Sequence, residues 1–345
     1  MSTMQPVSSP AEMLRSALLA LLCARLYSTA PDPALLPAAD DREGWMQLVA
    51  LAHSERVSPL VYLVLKDSQL CPPEALAALR GVYYHTLQHN TRLFGQVEQI
   101  AAVFQARGVG LIALKGMALA ESLYHNPGLR PVTDIDLLVR PADVPAAAEE
   151  LARLGWQQSG EQFRGPQEDY RHELQFLRAG TPAALELHWG LFQPWFYKRV
   201  IPPDQLWGTA RPLPQRGSAV LELGPEACLV YIAAHRMLQH SGGGGLLWLF
   251  DLALMAQDPA LDWERVLADT CGWGLVLSVR PALAEIERVF GVPVPPRVTA
   301  ALAKMRPGWQ ERYAYKRFVA GELSAAGIVF TMMLEMRGSR ERARY

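Results

Sequence analysis

The chain has 345 residues, half of them hydrophobic and 19% charged, with a formal net charge of −1 and a mean hydropathy of +0.04. That balance excludes a disordered chain and a large non-specific footprint on nucleic acid, whose polyanionic backbone calls for a positive field. The length exceeds what one hydrophobic core usually supports, so a catalytic unit with helical additions is expected.

In chain order, Leu14, Leu18, Leu21 and Leu22 recur at helical spacing within Met13 to Thr29, and Arg25 interrupts the apolar run. This predicts an amphipathic first helix rather than a targeting segment. A Pro- and Asp-rich connector covers Ala30 to Arg42, helical patterning runs from Trp45 to Lys66 with a break near Pro59, and a long helix extends from Pro72-Pro73 to Arg107. From Gly108 the period changes. Val109 to Leu114 and Leu129 to Val139 read as strands, Met117 to His125 and Ala142 to Leu154 as helices. Glu173 to Leu177 and Ala183 to Trp189 form a hairpin around Ala179 to Pro182. Beyond Pro225 the pattern is helical over Glu226 to His240, Leu246 to Ala256, Trp263 to Cys271 and Leu275 to Phe290, with shorter segments up to Met336. The fold class is therefore α+β: a small mixed sheet in residues 108–224 between an N-terminal helical lobe, 1–107, and a C-terminal one, 225–345. No run of about 18 apolar residues could span a membrane. Cys23, Cys71, Cys228 and Cys271 make no C-x-x-C pair, which disfavours a zinc ribbon or a disulfide framework and suits a reducing cytoplasm.

The chemistry concentrates in Arg130-Pro131-Val132-Thr133-Asp134-Ile135-Asp136-Leu137-Leu138-Val139. Side chains alternate along a strand, so Asp134 and Asp136 share one face while Ile135 and Leu137 turn into the core. Adjacent carboxylates repel, a cost that a divalent cation between them removes. Magnesium, a hard ion that takes oxygen ligands, suits best. In Leu185-Glu186-Leu187-His188-Trp189 the same alternation exposes Glu186 beside His188. If the two strands are neighbours, three carboxylates converge and can hold two magnesium ions about 4 Å apart. Lys115-Gly116, between a strand end and a helix start, forms a phosphate-binding device for a triphosphate, with Arg130 as a second phosphate contact.

At these residues the chain resembles the nucleotidyltransferases of the DNA polymerase beta superfamily, in the branch of uncharacterised nucleotidyltransferases. The resemblance rests on Leu114-Lys115-Gly116, Arg130, Asp134-Ile135-Asp136-Leu137-Leu138-Val139 and Leu185-Glu186-Leu187-His188-Trp189. It continues into Tyr231 to His235 and Trp248-Leu249-Phe250-Asp251, covering about residues 40 to 260. It implies that Asp134, Asp136 and Glu186 bind magnesium and that the product is a nucleotidylated hydroxyl. The wider superfamily carries Gly-Ser ahead of its Asp pair, where this chain has Lys115-Gly116 and a longer intervening helix.

The expected activity is transfer of an NMP, AMP from ATP, to a hydroxyl of a small-molecule or protein acceptor, with nucleic acid a less favoured partner. Two alternatives stand beside it: a silent nucleotide-sensing or protein-binding module on the same fold, and a toxin-like enzyme acting on tRNA or protein. Among the remaining polar residues, His188 is expected to pack structurally rather than reach the metal, and His172 is open. His235 and Asp251, in apolar helices, are expected to pair with each other. Gly242 to Gly245 lacks the Lys-Ser/Thr of a phosphate loop and reads as a hinge, and Arg337, Arg340, Arg342 and Arg344 as a solvated tail.

Overall fold

The computed structural model describes residues 9–159, 172–192, 197, 200–214, 216–240 and 245–319. Gly242 to Gly244 and the arginine tail lie outside them. The first helix, α1 (Pro10–Tyr27), opens on a capping box in which Ser9 and Glu12 satisfy each other's backbone N–H groups. It packs against α2 (Arg42–Ser54) and α3 (Ser58–Leu65). The long helix α4 (Pro73–Arg107) follows and ends on Gly108 in the left-handed conformation, where a glycine carries no Cβ penalty.

The mixed part comprises β1 (Ile112–Ala113), α5 (Lys115–Ser122), β2 (Ile135–Leu138), α6 (Val144–Arg153), β3 (Gln157–Gln158), β4 (Glu173–Leu177) and β5 (Leu185–His188). It continues through α7 (Pro203–Thr209), β6 (Arg211–Pro212) and β7 (Leu221–Glu222). The strands form one sheet in the order β3-β4-β5-β2-β1-β7-β6. The expected hairpin is β4–β5, antiparallel, while β2 runs parallel to β5 and antiparallel to β1. The strand expected over Leu129 to Val139 is shorter than its pattern: Pro131 leaves no N–H to pair, and the ladder starts at Ile135. The helices α8 (Pro225–His240), α9 (Gly245–Ala256), α10 (Trp263–Gly272), α11 (Val276–Phe290), α12 (Pro296–Lys304) and α13 (Trp309–Val319) complete the described chain.

Strand alternation divides the interior in two. Leu111, Ala113, Ile135, Leu137, Leu185 and Leu187 belong to a core with Leu93, Val97, Ile100 and Phe104 of α4 and Leu151 of α6. Ile112, Leu114 and Leu138 point the other way, into a larger core built by α1, α2, α3, α8, α9 and α11 together. Helices from both ends of the chain thus share one apolar mass, and Asp136, Glu186 and His188 project from the sheet towards it. No helix of the described residues is long and apolar enough to cross a membrane.

Candidate active site

The register of β2 and β5 brings the expected acids together. Asp136 lies opposite Glu186 and Leu138 opposite His188, in parallel pairing, so their side chains share one face at adjacent levels. β1 runs beside β2, the Leu114 N–H donates to the Asp136 carbonyl at 3.0 Å, and the chain turns there into α5. Lys115 makes that turn at φ 48°, a left-handed conformation that costs a residue with a Cβ about 1 kcal/mol. Its ammonium meets the acids directly, 2.8 Å from Asp136 Oδ1 and 3.7 Å from Glu186 Oε2.

Asp136 is fully buried. Burial alone would raise its pKa, but Lys115 and a hydrogen bond from His188 Nε2 at 2.9 Å outweigh that and hold the carboxyl well below the usual carboxylate range. Both contacts fall on Oδ1; Oδ2 is buried without a hydrogen-bond partner. His188 responds in the opposite sense. Burial lowers it, yet the Asp136 and Glu186 carboxylates raise it to about 9. Asp134, just before the ladder, is raised by burial and then by the charge of Asp136, while Lys115 and the Thr133 hydroxyl act against the rise. Asp134, Glu186, Lys115, Gly116, Arg130 and Trp248 are among the residues lining a cavity of 160 Å³.

Two groups of described side chains bring metal-capable atoms within 4.8 Å of one another: Asp136 with Glu186 and His188, and His172 with Glu173 and His188. The convergence of Asp136 and Glu186 matches the sequence expectation, whereas Asp134 reaches the same cavity without joining either group. His188, expected as a packing residue, stands at the centre of both. Its signal was present in the alternation of Leu185 to His188, which places it on the face of Glu186.

The pairing expected of His235 and Asp251 is revised by geometry. His235 and Asp251 do not pair. Asp251 Oδ1 accepts from the Tyr124 hydroxyl at 2.6 Å, and its two oxygens take Arg130 Nη2 at 2.7 Å and Nε at 3.1 Å. Arg130 is thereby held in the interior, 2% exposed, with its guanidinium 5.1 Å from the centre of the Trp248 ring. The bidentate pairing occupies Nε and Nη2, while Nη1 reaches only the Pro131 carbonyl at 3.5 Å. Gly116 is explained by the same arginine: a Cβ there would lie 2.5 Å from Arg130 Nη1. His235 instead packs its ring against Trp248, 4.9 Å between centres, and its Nδ1 has no hydrogen-bond partner.

A family model described as "Uncharacterised nucleotidyltransferase" matches residues 41–291, a span that contains the sheet, both acidic strands and, apart from α1, the helices that build the core beside them. No match is found among curated proteins.

Proposed function

The chain belongs to this family of uncharacterised nucleotidyltransferases, and from that premise we propose that it transfers AMP from ATP to a hydroxyl of a small-molecule or protein acceptor, with release of pyrophosphate. The observation that carries the reading is the in-register pairing of Asp136 with Glu186 beside the cavity that Asp134 also lines. The donor set fits magnesium: hard carboxylate oxygens, with the buried Oδ2 of Asp136 left without a partner. Asp134, Asp136 and Glu186 would hold it, and the bound ion would draw charge from the phosphates and ease departure of pyrophosphate.

The chain's own residues supply the rest. The acceptor hydroxyl attacks the α-phosphorus; the new P–O bond forms as the α–β bridging bond breaks, and pyrophosphate leaves with that electron pair. Glu186 takes the hydroxyl proton, because its side chain is 20% exposed and lines the cavity, whereas Asp136 is held ionised by Lys115 and His188 and is too weak a base. Lys115, which lines the same cavity, clamps the β and γ phosphates.

The test uses α-labelled ATP with magnesium and cell extract as the acceptor source, following label transfer and pyrophosphate release. Asp136→Asn is expected to lower transfer by at least about 10²-fold with unchanged circular dichroism. Full turnover by a folded Asp136→Asn protein would falsify the assignment.

A further inference from the structure

We propose that His172, Glu173 and His188 form a second metal site, one for a zinc-class transition-metal ion, next to the oxygen-lined pair at Asp136 and Glu186. The three ligand atoms lie within 4.8 Å of one another. Glu173 Oε2 is 3.0 Å from His172 Nε2 and 3.2 Å from His188 Nδ1, close to the roughly 3.3 Å that separates ligand atoms around a tetrahedral zinc ion with bonds of about 2.0 Å.

Both ring nitrogens are buried and neither has a hydrogen-bond partner, on residues that are 5% and 1% exposed. They approach the carboxylate without the alignment of a hydrogen bond. Atoms that share an ion behave in this way, because each directs its lone pair at the ion rather than at its neighbour. The other nitrogen of His188 already meets Asp136 Oδ1 at 2.9 Å, the carboxylate–histidine arrangement that fixes the tautomer and frees Nδ1 for a metal. The Glu173 side chain is 33% exposed, which leaves a side open for a water ligand. Topology supplies the cluster: Glu173 of β4 pairs with His188 of β5 in the antiparallel ladder, and His172 immediately precedes that strand.

The two centres differ in chemistry. Imidazole nitrogens select zinc, copper, iron or nickel, while carboxylate oxygens with retained water suit magnesium. His188 links them, so a metal on Nδ1 keeps the remaining ring proton on Nε2, against Asp136.

The test needs no turnover. Full-length protein stripped with chelator, then dialysed against zinc in excess magnesium, is expected to keep about one zinc per chain. Cobalt in its place should give the visible absorption of a nitrogen-bound ion. His172→Ala is expected to lose both signals, and Glu186→Gln, altered at the oxygen-lined pair and on the Nε2 side of His188 away from Nδ1, to keep both. Should His172→Ala fail to fold, the near-isosteric Glu173→Gln is expected to weaken zinc at least about tenfold. Wild-type protein retaining no zinc overturns the proposal. So does zinc lost in Glu186→Gln but kept in His172→Ala, or undiminished affinity in Glu173→Gln. Because none of these readouts involves ATP, failure here leaves the nucleotidyl-transfer reading untouched, and the converse also holds.

Discussion

His188 and His235 are both buried, and the direction in which each titrates is set by what stands opposite its ring. His188 faces Asp136 and Glu186 and is raised to about 9 against the opposing effect of burial. His235 faces aromatic rings; burial first, and the charge of Lys115 second, drive it well below 6.5. The signs for stability are therefore opposite. With no metal on Nδ1, His188 contributes stability that is complete below pH 6.5 and is lost as the pH rises through about 9. His235 is neutral in the fold and protonated in the unfolded chain below pH 6.5, so its penalty begins there and grows towards acid. Replacing it by a ring that does not titrate, His235→Phe, is expected to flatten the acid limb of the stability–pH curve by up to about 1.4 kcal/mol per pH unit, one proton's worth. His172, also lowered by burial first, keeps its own share of the slope. Urea titrations between pH 5 and 7 would show this; an unchanged slope means that His235 is protonated in the fold.

At the scale of elements, the start of α5 decides how the site is assembled. Leu114 offers no side-chain cap, Lys115 adopts a left-handed backbone conformation and Gly116 makes room for Arg130. Gly116→Ala would press a methyl group against a guanidinium already fixed by Asp251, and is expected to destabilise the protein by about 1–3 kcal/mol. Gly81→Ala, in α4 with nothing within 4 Å of the new Cβ, is expected to stabilise it by about 0.5–1 kcal/mol. Denaturation midpoints of the two variants should move in opposite directions, and a neutral Gly116→Ala would show that Arg130 can relocate. The same elements show what periodicity can and cannot convey. β2 and β5 were legible because four residues of alternation separate a lone acid from its apolar neighbours, and the face shared by Asp136 and Glu186 followed from it. β3, β6 and β7 were not, since two residues carry no period. The boundary of β2 was misjudged because Leu129 and Val132 are apolar and buried, as strand residues would be, yet they lie in a loop that Asn90 braces through the carbonyls of Pro127 and Arg130. The pairing of Arg130 with Asp251 spans 121 positions, and nothing local to either residue announces the other.

For the whole molecule, that pairing ties the loop before β2 to α9 and hence to the core that the N-terminal and C-terminal helices build together. The Tyr27 hydroxyl makes a second tie, donating to the Phe290 carbonyl at 2.9 Å. Asp251→Asn leaves a buried guanidinium without its counter-charge and is expected to cost about 3–5 kcal/mol. Replacing the whole group with apolar side chains of similar size, Tyr124→Phe with Arg130→Met and Asp251→Leu, is expected to recover most of that loss, because no charge is then left unpaired. This triple variant also separates two roles for Arg130. If its guanidinium serves only to dock the loop on α9, the refolded triple variant should transfer AMP with near wild-type kcat and KM. If it also holds a phosphate, stability returns while KM for ATP rises, as the contact expected from the sequence requires. The geometry favours the first outcome: Asp251 takes both Nε and Nη2, and Nη1 points at the Pro131 carbonyl 3.5 Å away, so a phosphate would have to compete with a carboxylate that is already desolvated and bidentate.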